Sequence, residues 1–204
     1  AHGAWRRLGE TAAVTDNTIE PSARLFHTLY RVARTVNSSL DIMQVLQTIV
    51  VSTTDALDAR ACSLRLLGPD SKHLMFGAAH GLSASYRAKG PVLVAQSEID
   101  RLALQSTSPV VVEDARKDPR FQYPGEAREE GIVSVLVVPL QVQGQSIGVL
   151  RVYTGDARAF GPEERELAEA IASLSAMAIE NARLYERLDR NYRAAVQFEE
   201  REFD

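Results

Sequence analysis

Apolar residues recur every three to four positions over residues 22–37, where Leu25, Leu29, Val32 and Val36 line one side and Phe26, Tyr30 and Ala33 broaden it. This pattern predicts an amphipathic helix with a wide stripe. Asn37-Ser38-Ser39 interrupts it, and a second helical stretch follows with Ile42, Val45, Leu46, Ile49, Val50, Thr53, Ala56 and Leu57 inward. Its start is marked by Asp41, in capping-box spacing with Gln44, or by Ser39. At Ala61 the alternation changes to period two. Residues 61–67 read as a strand, with Cys62, Leu64 and Leu66 on one face and Ser63 and Arg65 on the other.

Gly68-Pro69-Asp70-Ser71 predicts a turn, and residues 73–80 a returning strand ended by Gly81. Residues 82–89 form a short helix or loop. Residues 97–106 form a helix with Ile99, Leu102 and Ala103 inward, and residues 109–113 a third strand. Residues 114–130 are polar, with Pro119, Pro124 and Gly125, and predict a long loop with one helical turn near 126–130. Residues 132–140 and 146–153 read as two strands joined through Gln143-Gly144-Gln145. Gly161-Pro162-Glu163-Glu164 starts a helix that runs to about residue 200, with proline and acids where a helix start favours them. The order αα-ββ-α-β-β-β-α implies one sheet with helices packed on it.

The last helix also carries a heptad. Ile171, Leu174, Ala178, Asn181, Tyr185, Leu188, Tyr192 and Ala195 alternate spacings of three and four, the seam of a coiled coil. Beyond Leu188 only this seam and Phe198 break a polar surface, and such an extension is marginal alone in water. A second copy is the simplest stabiliser. Asn181 either fixes the register of a parallel pair or hydrogen-bonds within its own domain. With Leu25 and Leu29 of the first helix, two chains would form a four-helix bundle.

Composition narrows the function classes. The 204 residues have 45% hydrophobic and 25% charged side chains and a net charge of −4, as an ordinary globular domain does. This balance, without a basic strand interleaved with aromatics, argues against nucleic-acid binding. No run of 18 apolar residues exists to insert into a membrane, and residues 1–20 have the charged character of a flexible N-terminal segment rather than a signal peptide. The single cysteine, Cys62, excludes an internal disulfide and multi-thiolate zinc, and suggests a reducing, cytoplasmic setting. No histidine pair has metal-ligand spacing, and no nucleophile–base constellation or phosphate loop is visible, so a non-enzymatic chain with no cofactor is expected.

Five stretches resemble a GAF domain: LDIMQVLQTIVVSTTDALDARACSLRLL at 40–67, AAHGLS at 78–83, PVVVEDARKDPRFQYPGEAREEGIVSVLVVPL at 109–140, GQSIGVLRVY at 144–153, and FGPEERELAEAIASLSAMAIENARLYERL at 160–188. The resemblance implies an α+β fold, related to profilin-like and PAS-like folds. An antiparallel sheet of five to six strands carries helices on one face and a small-molecule pocket on the other, and a long C-terminal helix follows. It implies a domain over residues 21–190 including terminal dimerisation helices, with 191–204 a helical extension or frayed tail. It further implies a signal-transduction sensor or regulator that forms a homodimer and acts on an output domain such as a kinase, cyclase or transcriptional regulator. A structural dimerisation module without a ligand is the alternative.

Ligand signatures within that family are mostly missing. There is no Asn-Lys pair of the cyclic-nucleotide type, and Cys62 lies mid-strand rather than in a bilin-binding loop. One cysteine is too few for the thiol relay of the family's methionine sulfoxide reductases, and His80 beside Gly81 has a structural place in the family pattern rather than that of a haem ligand. In GAF-like sheets the first and last strands are neighbours, which would bring Arg65 and Arg151 to one face. Two guanidiniums there suit a carboxylate or phosphate, unless they pair with Asp114, Glu113 or another carboxylate. Phe76, Ala78, Val112, Asp114, Ser134 and Leu136 are further candidate lining. Phe121 and Tyr123 either lid the pocket or anchor their loop to the core, and Asp118 before Pro119 suits a turn.

Overall fold

The computed structural model describes Tyr30, residues 41–106 and residues 108–202, with side chains as far as residue 193. The predicted helix over 22–37, with Leu25 and Leu29, lies outside the described residues apart from Tyr30. The elements are α1 (Ile42–Ala56), β1 (Ala61–Leu67), β2 (His73–His80), α2 (Ala84–Arg87), β3 (Val92–Leu93), α3 (Glu98–Gln105), β4 (Val110–Val112), α4 (Pro124–Glu130), β5 (Val135–Val142), β6 (Gln145–Tyr153) and α5 (Pro162–Glu202). Asp41 is the N-cap of α1, its carboxylate accepting from the Met43 amide at 2.8 Å, which settles the choice between Asp41 and Ser39.

The strands form one antiparallel sheet in the order β3-β2-β1-β6-β5-β4. β1 and β6 lie at its centre. Alternation along them divides the molecule into two cores. Cys62, Leu64, Leu150 and Val152 face α1 and α5 with Val45, Leu46, Ile49, Ile171 and Ile179. Ala61, Val149 and Tyr153 face the other way, beneath Tyr86, Ile99, Phe121 and Ile132. β5 is buried on both faces: Leu136, Val138 and Leu140 join the helical core, Val135 and Val137 the opposite one.

Two irregularities shape the faces. Leu64 pairs with Ala78 and Arg65 with Phe76, so Gly77 is the extra residue of a bulge. A methyl there would sit 3.1 Å from the Leu64 carbonyl oxygen and 3.2 Å from Leu46 Cδ1. On β6, Leu140 pairs with Gly148 and Gln141 with Ser146, and the extra residue Ile147 turns to the helical core instead of sharing a face with Arg151. β3, two residues long, is too short to show a period, and the loop after β4 holds a seven-residue α4 rather than a single turn.

α5 has 41 residues, about 60 Å at 1.5 Å per residue. Ala168, Ile171, Ala172, Ser175, Ala176, Ala178, Ile179 and Ala182 bury one stripe of it in the domain. This corrects the heptad reading: Ile171 and Ala178 are core residues of their own domain, not members of a free seam. Leu174 is half-buried, while Met177, Asn181, Leu184, Tyr185, Leu188 and Tyr192 are exposed. The open stripe runs 174, 177, 181, 184, 188, again with spacings of three and four. Periodicity alone did not separate two adjacent stripes on one helix.

Gly148 is where the sheet is least tolerant. An added Cβ would stand 2.3 Å from the Arg65 carbonyl oxygen, a backbone atom that cannot swing away. Gly148→Ala should therefore lower stability by about 3 kcal/mol or more. Gly125, in the first turn of α4 with open space around it, is the contrast. Gly125→Ala should be neutral or stabilising by up to about 1 kcal/mol. Urea midpoints of the two variants test the pair.

Candidate functional site

The face of the sheet away from α1 and α5 carries charge into an otherwise apolar layer. Arg151 on β6 is 3% exposed and Arg65 on β1 is 5% exposed. Ser63 is the register partner of Arg151 and Arg65 that of Val149, so the two arginines sit diagonally on adjacent strands. Asp100, in the first turn of α3 and 0% exposed, receives Arg151 in a two-point ion pair, Nε to Oδ1 at 3.0 Å and Nη2 to Oδ2. The Ser97 hydroxyl donates to Asp100 Oδ2 at 2.5 Å. The pair fastens α3 to the middle of the sheet. Removing one partner of such a pair costs about 3–5 kcal/mol, because the other charge is left buried.

Tyr153 and Ser63 share a hydroxyl–hydroxyl hydrogen bond of 2.8 Å, and Tyr86 of α2 packs edge-on to Tyr153 with ring centroids 6.1 Å apart. The Lys89 ammonium nitrogen, just after α2, stands 3.3 Å from the Tyr86 ring centroid and 5.2 Å from that of Tyr123. The Tyr123 hydroxyl donates to the Pro91 carbonyl at 2.9 Å, closing the loop over this corner.

Charge in the cluster does not balance. Arg65, Lys89 and Arg151 are three basic groups; Asp100 is the buried acid among them, and half-buried Glu126, in the cleft lining beside Tyr86, acts on Lys89 in the same sense as Asp100 without pairing with it. Arg65 donates from Nη1 to the Leu74 carbonyl at a long 3.4 Å and lies over Phe76 at 5.7 Å, but its Nε is buried with no partner. Lys89 Nζ and the Tyr86 hydroxyl are also buried and unpartnered. Buried donors without acceptors cost about 1–3 kcal/mol each, more when charged. Burial alone would draw the Arg151 guanidinium down, but the Asp100 carboxylate outweighs it and leaves Arg151 above its ordinary value. Arg65 has no such acid: burial, then Arg151, draws it below the ordinary value. Lys89 falls furthest, to about 6, through burial and then Arg151 and Arg65. The Tyr86 ring face opposes this by up to about 2 kcal/mol when desolvated, a smaller effect than the loss of water beside two guanidiniums. Burial raises the Tyr86 phenol, keeping it a neutral donor.

The structure brings together Arg65 and Arg151, as strand parity predicts, but the carboxylate at Arg151 is Asp100 rather than Asp114 or Glu113. Phe76 shares the face of Arg65 and is 46% exposed. Ala78 does not: the Gly77 bulge turns it into the helical core opposite Leu64. Leu136 also belongs to the helical core, and Val135 and Val137 line the charged face instead. Ser134 is engaged elsewhere, donating to the Glu113 carbonyl at 2.7 Å and accepting from the Arg158 amide at 2.8 Å. Val112 is buried on the charged face. Asp114 is held by Arg116, Nε to Oδ1 at 2.7 Å, which lowers its carboxyl below the usual range; it forms a turn away from the arginines. Asp118 likewise pairs with Arg120. Phe121 is 7% exposed and anchors its loop in the core. Cys62 is fully buried, its thiol pushed up by burial, and is inert.

Asp100, Lys89 and Tyr86 were not singled out from sequence. Asp100 reads as an ordinary first-turn acid, and Lys89 and Tyr86 fall in an aperiodic stretch. A cleft of about 300 Å³ adjoins the cluster through Tyr86, which lines it together with Arg60, Ser83, Ser85, Glu126, Glu129 and Glu130. There Glu130 accepts from the Ser83 amide at 2.8 Å and from its hydroxyl, and Arg60 Nη2 donates to the Glu130 carbonyl at 2.8 Å. These bonds strap α2 and α4 together at the end of the sheet. No helix among the described residues is long and apolar enough to cross a membrane.

Comparison with known proteins agrees with this geometry. The family model for the GAF domain matches residues 41–179. The Nif-specific regulatory protein of Herbaspirillum seropedicae is 26% identical over 129 residues, 62% of this chain and 23% of its own length. The chain thus spans about a quarter of that curated relative. The GAF domain of a phosphoenolpyruvate-protein phosphotransferase from Coxiella burnetii superposes with a TM-score of 0.72 at 24% identity, covering 82% of this chain and 99% of that one, a likeness of fold. The corresponding domain from Acinetobacter has a TM-score of 0.66 at 25% identity, covering 78% of this chain and 94% of that one.

The Lys89 amine gives a pH signature. Its folded value near 6 lies below its ordinary 10.5, so between the two the unfolded chain binds more protons and stability rises with pH. Lys89→Met removes this effect. In buffer free of small multivalent anions, the variant should melt above the parent near neutral pH, by several degrees, with the gain shrinking as pH approaches 10.5. Melting curves at several pH values check this.

Proposed function

The chain belongs to the GAF domain family, and on that premise we propose that it is a signal-transduction regulatory domain that binds a small anionic molecule on the charged face of its sheet. The observation that carries this reading is the unbalanced cluster: three basic groups around Asp100, with Arg65 Nε, Lys89 Nζ and the Tyr86 hydroxyl buried and unpartnered. A carboxylate or phosphate supplies the missing acceptors and the missing charge. Arg151 is already committed to Asp100, so its part is to hold α3 and add to the local potential. Binding acts between the sheet and the two loops that carry Lys89, after α2, and Tyr123, before α4. Regulation follows if the anion favours one arrangement of α2, α3 and α4 over another. The Nif-specific relative is consistent with a regulator that carries an output domain, and the setting we assign is the cytoplasm.

Relay is assigned to α5, with a second copy of the chain as partner. Leu174, Met177, Asn181, Leu184 and Leu188 supply a seam of alternating three and four, flanked by Tyr185 and Tyr192. Ala182 is the last buried position on α5 among the described residues, and about 30 Å of helix continues beyond it. Two such helices side by side cover these apolar residues, and Asn181 lies in the seam where it can fix register. A dimerisation module without a ligand is the second reading. It is favoured by the packing of Phe121, Val135, Val137 and Tyr153 over the same face.

Thermal shift and calorimetric titration with a panel of small carboxylates, phosphate and phosphate esters separate the two readings. Sensing requires saturable stabilisation by one anion class, weakened about tenfold or more by Arg65→Met and by Lys89→Met. No saturable response across the panel leaves the dimerisation reading. For the relay, Leu184→Glu with Leu188→Glu should convert a dimer to a monomer in native mass spectrometry without changing the near-ultraviolet circular dichroism. A parent that is already monomeric overturns the helix pairing.

A further inference from the structure

Lys89 has a property the anion reading leaves unused: it is a nucleophile. The chain has three lysines, Lys72, Lys89 and Lys117. Lys72 and Lys117 are exposed, whereas Lys89 Nζ is enclosed between the Tyr86 and Tyr123 rings and makes no hydrogen bond. The residues around it discriminate between a guanidinium and an amine. A guanidinium stays charged wherever it is buried, while a buried amine gives up its proton. Burial and the neighbouring Arg151 and Arg65 draw Lys89 to about 6, so near neutral pH much of it carries a free electron pair. Tyr86, Arg65 and Arg151 are each 5% exposed or less, which limits what can reach Nζ without displacing packed side chains to a very small electrophile.

We propose that Lys89 is a site of reversible carbamate formation with carbon dioxide. The Nζ electron pair forms a bond to the carbon of CO2, one C=O π pair moves onto oxygen, and the nitrogen releases a proton to solvent. The product is Lys–NH–COO⁻ plus H⁺, so atoms and charge balance without another reactant. A neutral amine becomes an anion with two acceptor oxygens, inside a cluster that holds two buried guanidiniums against one buried carboxylate, Asp100, with Glu126 the further acid acting on Lys89. The unpartnered donors Arg65 Nε and Tyr86 hydroxyl are the groups that such an anion would satisfy. Nothing need enter the site except CO2 itself. The inference rests on the anion site proposed above, and specifies that the anion can be made in place rather than delivered whole.

The test equilibrates the full chain with carbon-13 bicarbonate and CO2 near neutral pH, traps carbamates by O-ethylation with a trialkyloxonium salt, and maps them by peptide mass spectrometry. Lys72 and Lys117 serve as internal controls. The expected result is label on Lys89 exceeding either control by at least about tenfold, because only Lys89 has a large amine fraction at that pH. Lys89→Arg, folded by circular dichroism, should lose the label, and Tyr86→Phe and Arg65→Met should lower it. Label absent from Lys89, or equal on all three lysines, overturns the proposal. The anion titration, repeated in CO2-free buffer, separates its failure from that of the binding site. Stabilisation by free anions without carbamate sinks the carbamate alone. Neither effect sinks both readings. Carbamate without any response to free anions supports the modification and removes the diffusible ligand.

Discussion

The ion pair between Arg151 and Asp100 is the constraint on which the charged half of the domain depends. It joins the centre of the sheet to the first turn of α3, the helix that covers it, and neither charge reaches solvent. By energy alone such a pair is close to neutral against a well-packed apolar contact. Its effect is positional. An apolar contact lets α3 slide along β5 and β6, whereas a two-point bond with Ser97 as a third participant fixes one placement. Burial in this layer, and then the Arg151 charge, disfavours a further basic group there more than Asp100 favours it, and Arg65 and Lys89 are both placed in it.

The sheet therefore has two unlike faces made by the same strands. Towards α1 and α5 it is an apolar, interdigitated layer of Leu64, Ala78, Leu136, Leu150 and Ile171, and the buried charged groups among the described residues, Arg65, Asp100 and Arg151, all lie on the other side. Towards α2, α3 and α4 the layer mixes Val135, Val137 and Val149 with Ser63, Arg65 and Arg151. A close-packed layer transmits displacement because it has no slack. A charged layer responds to whatever enters it, because a single anion changes the interaction of several groups at once. β1 and β6 contribute to both layers from alternate residues, so the charged face and the apolar one are a single strand thickness apart.

Much of this was legible in the sequence where one strand face was polar and the other apolar. Ser63 and Arg65 against Cys62, Leu64 and Leu66 sufficed to put Arg65 with Arg151 once β1 and β6 were known to be neighbours. Parity failed where its premises failed. Gly77 inserts a residue into β2 and separates Phe76 from Ala78, and no periodicity announces a bulge. β5 is apolar on both sides, so nothing in Val135-Leu136-Val137-Val138 says which alternate residues face α5. The heptad merges two neighbouring apolar strips of α5, one buried in the domain and one exposed, because spacing alone does not separate them. Asp100 and Lys89 were invisible for a different reason. Their importance comes from what folding puts beside them, and an acid in a helix's first turn or a lysine before a glycine has nothing unusual about it in one dimension.

α5 also sets a mechanical scale. Its buried stripe stops at Ala182, and about twenty residues project past it, near 30 Å of stiff rod. Tilting that rod by some five degrees about its last anchored turn sweeps the Glu202 end through about 2.6 Å, half a helical pitch. A displacement of a fraction of an ångström at Ile179, about 4.5 Å from that turn, corresponds to a severalfold larger one at the tip. By its proportions α5 is a lever with a long free arm: what its tip gains in travel over the anchored turn it gives up in force.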